Sequence, residues 1–244
     1  MKLHPPSVVI ENVRPLINGG RYPIKRAVGE DLTVEADVFK DGHDIVSAVL
    51  KWRKLGAEKW HETPMKITDR WNKDEWCATC SFFENTTYEF TIEAWGDTFL
   101  TWQHEFSTKF KAGLDDLKSE TLEGAQFVEK AAKLAAGRKQ KRDAERLTEL
   151  GTRIRNGTPA EVNEIAHLAE LEALMTAYAD RSESTEFRLD EPEVISVVEG
   201  NVHPECHGSY PRVLVDRERA VFSQWYEFFP RSAEGRGDKG STFR

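Results

Sequence analysis

The chain has 244 residues, which is enough for one large domain or two small ones, each with a buried core. Its formal net charge of -8 argues against nucleic acid as a partner, because broad nucleic-acid binding uses a basic surface. No apolar run approaches the ~20 residues that cross a bilayer, the first residues contain no signal-peptide pattern, and three cysteines do not make a disulfide framework. We therefore expect a cytoplasmic protein with no membrane partner.

The first region, roughly 7–111, is predicted to be β-structure. Apolar residues fall on every second position in Leu32–Val38 and again in Tyr88–Ala94, a spacing that places them on one face of a strand. Turn signals such as Asp41-Gly42 and Gly96-Asp97 separate these short runs. The pattern is typical of an antiparallel β-sandwich of immunoglobulin-like type.

After Gly113 the apolar spacing changes to three and four residues, which predicts an all-α unit of three helices. Gly137 ends or bends the first helix, and Asn156-Gly157 supplies residues that tolerate a left-handed terminus after the second. Thr158-Pro159-Ala160-Glu161 has the form of a capping box, with proline at the first helical position. The third helix carries one apolar stripe, formed by Val162, Ile165, Leu168, Leu171, Met175 and Tyr178.

Beyond Pro192 the chain returns to short β-branched runs, at Val194–Val198 and Val213–Val215, which we expect to rejoin the first sheet. The predicted fold class is therefore an α+β multidomain protein, an immunoglobulin-like antiparallel β-sandwich with an inserted all-α helical bundle. The predicted division is a first part of the sandwich at 1–112, a helical insertion at 113–192, return strands and a lead-in to a further domain at 193–232, and a linker or cut end at 233–244.

Aromatic residues supply the one candidate binding site. Six of the seven tryptophans fall between positions 52 and 102, and exposed aromatic rings can hold the apolar face of a sugar. Trp52 lies on the apolar face of its strand, whereas Trp95 follows the inward Ala94 and is predicted to face solvent. Trp95 is thus a weak candidate for contact with an α-glucan, and the alternative is that these tryptophans pack a core or an interface.

The cysteines and histidines carry no persuasive catalytic pattern. Cys77-x-x-Cys80 has the spacing of half a zinc site, which His203, Cys206 and His207 could complete. In a strand, however, residues three apart point to opposite faces, so we interpret these cysteines as small buried hydrophobes. Cys206-His207 as a nucleophile and base has no further support in the sequence. We predict no catalytic residue, no metal site and no cofactor.

Two segments at opposite ends of the chain resemble a known family. Ile10–Pro15 with Gly19–Glu30, and Val215–Ala220 with Trp225–Ser232, are similar to segments of the α-1,4-glucan:maltose-1-phosphate maltosyltransferases, members of the α-amylase-like group. The similarity extends through Val34–Asp44 and Tyr88–Trp95, whereas the helical stretch matches in position and character more than in residues.

The resemblance implies a non-catalytic N-terminal region that contributes to a homodimer. A catalytic (β/α)₈ barrel, which needs at least ~200 residues, would follow this chain. The parent enzyme would transfer maltosyl units from maltose 1-phosphate to α-1,4-glucans with retention, and this chain alone is predicted to be inactive. The alternatives are a free-standing α-glucan-binding β-sandwich module and an independent protein-interaction adaptor.

Overall fold

A computed structural model describes residues 8–68, 73–114, 116–189, 210–222, 224 and 227. It contains two mostly antiparallel β-sheets and five helices in the described residues, an α+β fold. The strands are β1 Val8–Arg14, β2 Ile24–Ala27, β3 Asp31–Lys40, β4 Val46–Lys54, β5 His61–Pro64, β6 Lys66–Ile67, β7 Glu75–Ser81, β8 Thr87–Gly96, β9 Thr185–Glu186 and β10 Arg212–Asp216. The helices are α1 Thr98–Lys111, α2 Lys118–Gly137, α3 Lys141–Asn156, α4 Pro159–Ala166 and α5 Ala169–Ala177, and a 3-10 helix spans Glu218–Val221.

The smaller sheet has the strand order β1-β3-β7-β6, and the larger sheet has the order β2-β10-β8-β4-β5, with β9 paired to β8. The strands predicted at Leu32–Val38 and Tyr88–Ala94 are confirmed as parts of β3 and β8. Their inward side chains belong to one hydrophobic cluster that both sheets share. Alternation therefore identified the buried face of each strand correctly.

β10, which follows the helices in the sequence, joins the larger sheet by pairing antiparallel with β8. It also pairs with β2 in parallel, through Val213–Ile24 to Asp216–Ala27. The larger sheet is thus mixed, which corrects the prediction of a purely antiparallel arrangement. The strand predicted at Val194–Val198 lies outside the described residues.

The helices build a second hydrophobic cluster, and α1 belongs to it. Residues 98–111 were predicted as part of the β region, so their secondary structure was predicted wrongly. Asp97 caps this helix by accepting a hydrogen bond from the Leu100 amide (3.0 Å). Phe99, Trp102 and Phe106 follow at helical spacing and are buried in the second cluster. The division into domains stays a prediction, and α1 now counts with the helices.

The predicted third helix is interrupted. The capping box at Thr158 and Glu161 is confirmed, but α4 ends at Ala166, and Leu168 is extended (φ -66°, ψ 124°) before α5 begins. The apolar stripe still packs into the second cluster on both sides of the break. Gly157, predicted at a left-handed terminus, is instead extended (φ -79°). Its lack of a side chain matters for a different reason, since a Cβ there would lie 2.8 Å from the Arg153 carbonyl.

Candidate functional site

Trp95, the predicted sugar contact, lies on the outward face of β8 as its alternation requires. It is nevertheless only 4% exposed, so the expectation that its ring faces solvent is wrong. Helices cover this part of the sheet, and Phe127, Met175 and Tyr178 line the same cavity as the tryptophan. The cavity has a volume of about 20 Å³, room for about one water molecule and not for a sugar ring. Sugar contact at Trp95 stays a prediction that requires the helices to move.

Arg181 secures this contact between helices and sheet where the chain returns from α5. Its guanidinium carbon lies 4.3 Å from the centre of the Trp95 ring. One of its nitrogens reaches carboxylate oxygens of Glu62 at 3.0 Å and of Glu93 at 3.3 Å. Within the described part of the chain, the buried Trp95 Nε1–H has no hydrogen-bond partner. Stacking and two ion pairs therefore fix the arginine, with the charge of its head group balanced by carboxylates.

The outward face of β4 and β8 carries a larger set of charged side chains, which we call the outer-face network. Lys51 Nζ lies 3.2 Å from Glu93 Oε2 and 3.1 Å from Glu186 Oε1, and Arg53 Nε lies 2.7 Å from Glu89 Oε1. The full network consists of Lys51, Arg53, Glu62, Glu89, Glu93, Arg181, Glu186, Arg188 and Tyr210. Each carboxylate in it has a cationic partner, so the network stabilises itself without a bound ligand.

The pKa shifts in the network point to a structural role. Burial raises the pKa of the Glu186 carboxyl, but hydrogen bonds from Tyr210 and Lys51 outweigh burial, and the net pKa lies below its usual value. Burial and the same hydrogen bond to Glu186 raise the pKa of the Tyr210 phenol. Glu186 therefore stays ionised and Tyr210 stays protonated near neutral pH. Neither group is prepared to exchange a proton with a substrate.

Trp60 is the aromatic residue that the sequence reasoning missed. It is half-buried, and the Arg53 guanidinium carbon lies 4.2 Å from its ring centre. The Tyr210 ring packs edge-on against it, with ring centroids 5.1 Å apart. The available signal was Lys51-x-Arg53, which places two cations on the outward face of one strand, where a contact with an aromatic ring is favourable.

The remaining described tryptophans serve the cores. Trp76 donates a hydrogen bond from Nε1 to the Val38 carbonyl at 3.1 Å, and Trp102 donates one to the Glu120 carbonyl at 2.6 Å. Trp52 packs against the first hydrophobic cluster, as its position on the apolar face predicts. The packing alternative stated for these tryptophans is therefore correct for all three.

Cys77 and Cys80 point to opposite faces of β7, as predicted. Burial raises the pKa of the Cys80 thiol to about 12, which keeps it protonated. Among residues that the structure describes, no group of three or more histidine, cysteine, aspartate or glutamate side chains could hold a metal ion. His203, Cys206 and His207 lie outside the described residues.

The Glu11–Pro15 segment ends β1 at the edge of the smaller sheet. Arg14 donates hydrogen bonds to Glu75 (2.8 Å) and Glu35 (3.4 Å), which ties β1 to β7 and β3. Asn12 donates to the Asp37 carboxylate at 2.6 Å. These contacts give the segment a structural role. The similar segment Trp225–Ser232 lies outside the described residues except for Glu227.

A shallow groove lies between α2 and α3. Its volume is about 900 Å³, and three of its nine lining residues are alanine. The lining residues are Glu129, Ala132, Lys133, Ala136, Lys139, Lys141, Ala144, Glu145 and Thr148. We call it the α2–α3 groove. The lining contains both lysine and glutamate side chains, and its alanines have little side-chain bulk to keep another surface away.

Comparison with known proteins identifies the family. A family model described as "Alpha-1,4-glucan:maltose-1-phosphate maltosyltransferase, domain N/S" matches residues 6–194. The chain belongs to this family. The match spans strands β1 to β9 and all five described helices, so it contains the whole second hydrophobic cluster and all of the first except Val213 and Val215 of β10.

Curated relatives support the assignment. The chain is 40% identical over 242 residues to the alpha-1,4-glucan:maltose-1-phosphate maltosyltransferase of Myxococcus xanthus, covering 98% of this chain and 33% of the relative. It is 35% identical over 247 residues to alpha-1,4-glucan:maltose-1-phosphate maltosyltransferase 1 of Streptomyces coelicolor, covering 97% of this chain and 32% of the relative. For the Chlorobaculum tepidum enzyme the identity is 34% over 241 residues, covering 97% of this chain and 31% of the relative.

The chain thus spans about a third of the length of the curated relatives it matches, and corresponds to their N-terminal part. The relatives are glycosyltransferases by name. None of the described helices combines the length and apolar character that spanning a membrane requires.

Proposed function

We propose that this chain is the non-catalytic N-terminal region of an α-1,4-glucan:maltose-1-phosphate maltosyltransferase and acts as its scaffold and dimerisation region. The parent enzyme would transfer maltosyl units from maltose 1-phosphate to α-1,4-glucans in the cytoplasm, with retention, on a barrel that follows this chain. The sheets would form an immunoglobulin-like sandwich with the helices inserted. The observation that carries the proposal is the match over 98% of this chain but 33% of the first relative.

The chemistry of the described side chains supports a scaffold. A retaining glycosidase mechanism needs two carboxylates that face a substrate, one as nucleophile and one as acid and base. In the outer-face network, by contrast, Glu89 forms an ion pair with Arg53. Glu93 forms ion pairs with Lys51 and Arg181. The Trp95 cavity of about 20 Å³ has no room for a sugar.

The α2–α3 groove is the surface that we propose for the dimer contact. In a two-fold dimer the same patch meets itself, so an interface must be complementary to its own copy. The small side chains of the lining residues Ala132 and Ala136 would permit close helix packing. Around the rim, Lys133 and Glu145 would each find an opposite charge on the second copy.

Sedimentation equilibrium across protein concentration tests the contact. We expect a dimer that Ala136→Glu dissociates, because the new carboxylate would be buried at the dimer contact without a fixed partner. Ser119→Glu is the matched control, since it adds the same charge to the exposed first turn of α2 and should leave the dimer intact. A chain that stays monomeric at all concentrations would contradict dimerisation, and equal weakening by both variants would contradict this surface.

Maltosyl transfer tests the scaffold role. With maltose 1-phosphate and glycogen, phosphate release by the 244-residue chain should equal the blank, and the longer protein encoded by the same gene should be active. Turnover by the chain alone would overturn the proposal. An inactive longer protein would overturn the assignment of the parent activity.

Trp60 favours a second candidate function, an α-glucan-binding module. Its half-exposed ring, backed by Arg53 and flanked by Tyr210, is a flat apolar surface beside hydrogen-bonding groups. Titration with maltooligosaccharides should then give a saturable change in tryptophan fluorescence that Trp60→Ala abolishes. Trp95→Ala in the same titration tests the sequence-based prediction for that residue. If the tryptophan fluorescence of the unmodified chain does not change during the titration, glucan binding is contradicted and only the scaffold role remains.

A further inference from the structure

Three apolar side chains are far more exposed than the other large hydrophobic residues of the described chain. Phe83 is 75% exposed, Val221 is 65% exposed and Phe222 is 76% exposed. The next most exposed is Leu114, at 53%. An aromatic side chain can remove 150–250 Å² from water, so two such rings left in solvent are a large unused source of binding free energy.

Phe83 lies on the loop after β7, Val221 ends the 3-10 helix and Phe222 follows it, and hydrogen bonds hold these segments at one end of the sheets. The Gly29 amide donates to the carbonyl of Phe82, next to Phe83, at 2.8 Å. The Val28 amide donates to the Asp216 carbonyl at the end of β10 at 2.9 Å, and the 3-10 helix that carries Val221 follows at once. The loop after β7, the turn after β2 and the exit from β10 are therefore neighbours. We call Phe83, Val221 and Phe222 the exit patch.

The exit patch lies where the chain leaves the larger sheet in the direction of its C-terminus. The Asn85 side chain lies in the loop that carries Phe83. With its amide oriented so that both of its atoms are paired, it donates a hydrogen bond to the Val215 carbonyl (3.1 Å) and accepts one from the Arg217 amide (3.2 Å). The exit is thus held to the loop that presents Phe83. In the relatives about two thirds of the sequence lies beyond the matched part. The polypeptide that follows would pass this surface first.

We propose that the exit patch is the docking surface for the domain that follows this chain in the full-length protein. This inference rests on the proposed function. The occupant must present an apolar surface to the two phenylalanines. It must also accept the charged rim of Arg217, Glu218 and Arg219, which are exposed beside the patch. Docking would fix the orientation of the following domain on the sheets through side chains that contribute nothing to either hydrophobic cluster of this chain.

Hydrogen exchange read by mass spectrometry tests the docking on the 244-residue chain and on the full-length protein. Amides of residues 82–86 and 217–222 should exchange at least about tenfold more slowly in the full-length protein, because docking suppresses local opening. The amides around Leu114, an exposed apolar residue outside the patch, should exchange equally in both proteins.

Substitution adds a second measurement. Phe83→Gln should lower the melting temperature of the full-length protein and leave that of the 244-residue chain unchanged. Leu114→Gln, the matched control, should have the same small effect on both. Equal destabilisation of both proteins by Phe83→Gln would overturn the inference, because residues of this chain would then already cover the ring. The inference would also be overturned if the amides of residues 82–86 and 217–222 exchanged more slowly at higher concentrations of the 244-residue chain. The occupant of the patch would then be a second copy of this chain.

The inference and the proposed function fail in different ways. A full-length protein that transfers maltosyl units but shows unchanged exchange at 82–86 and 217–222 overturns the docking alone. A reading frame that stops after codon 244 overturns both.

Discussion

The packing of α1 against α2 gives a sharp test of the helical core, through the substitution Gly124→Ala. Gly124 lies in the middle of α2, and a Cβ added there would lie 2.0 Å from Trp102 Cζ2 and 2.3 Å from Cε2. Trp102 has little room to retreat, since its ring lies between Phe99 (5.6 Å) and Phe106 (5.4 Å), measured between ring centroids. Its Nε1 also donates to the Glu120 carbonyl at 2.6 Å.

The magnitude follows from three opposing contributions. To reach ordinary contact distance the indole must shift by about 1.5 Å, and such overpacking costs about 1–3 kcal/mol. The shift breaks the hydrogen bond to Glu120 and leaves a buried N–H unpaired, at about 1–3 kcal/mol. Alanine regains about 1 kcal/mol of helix propensity over glycine. We therefore expect Gly124→Ala to lower the free energy of unfolding by about 1–5 kcal/mol, which is the sum of the two costs less the gain in helix propensity.

Urea denaturation followed by tryptophan fluorescence and by circular dichroism measures the change. The matched control is Gly137→Ala at the end of the same helix, where an added Cβ would meet nothing within 4 Å. That variant should gain up to about 1 kcal/mol from helix propensity. The two substitutions thus differ in sign although their chemistry is the same. If Gly124→Ala stabilises the chain as Gly137→Ala does, the close contact with Trp102 is not present in solution.

Further predictions concern a cap, a carboxylate and a thiol. Thr158→Ala, which removes the hydroxyl of the capping box, should cost about 1 kcal/mol in urea denaturation, and Thr158→Ser should restore most of it. The lowered pKa of Glu186 stabilises the fold above the unfolded pKa of about 4.5, so stability should fall as the pH drops below that value, and less steeply in Glu186→Gln. Peptide mapping after brief thiol labelling at about pH 8 should find Cys80 unmodified while Cys77 reacts, because the Cys80 pKa is raised to about 12. A labelled Cys80 or an unchanged pH profile in Glu186→Gln would contradict the corresponding burial and pairing.

The sequence predicted best where local chemistry and burial agree. The capping box at Thr158 forms as predicted because its two hydrogen bonds depend only on residues three apart. The strands at Leu32–Val38 and Tyr88–Ala94 follow from alternation, since each has one face in the shared core. The opposite orientation of Cys77 and Cys80 follows from the same geometry.

The prediction failed where a residue's surroundings come from a distant part of the chain. Alternation correctly placed Trp95 on the outward face of β8, but the covering residues Met175 and Tyr178 are about eighty positions further along. The prediction therefore treated the outward position of Trp95 on its strand as if it meant exposure to solvent. The helix α1 was missed for a local reason, because Gly96-Asp97 was interpreted as a turn, whereas Asp97 is the N-cap. Phe99, Trp102 and Phe106 already had helical spacing.

The same junction determines how the two hydrophobic clusters are held together. The Asp97 carboxylate accepts a hydrogen bond from Ser47 Oγ in β4 at 2.9 Å while it caps α1, and the Ile45 amide donates to Thr101 Oγ1 at 2.9 Å. Arg181 makes a second attachment where the chain returns from the helices. The helices can swing away from the sheet only if both attachments break. The proposed dimer contact on the α2–α3 groove and the proposed docking surface at the exit patch would thus keep a fixed separation.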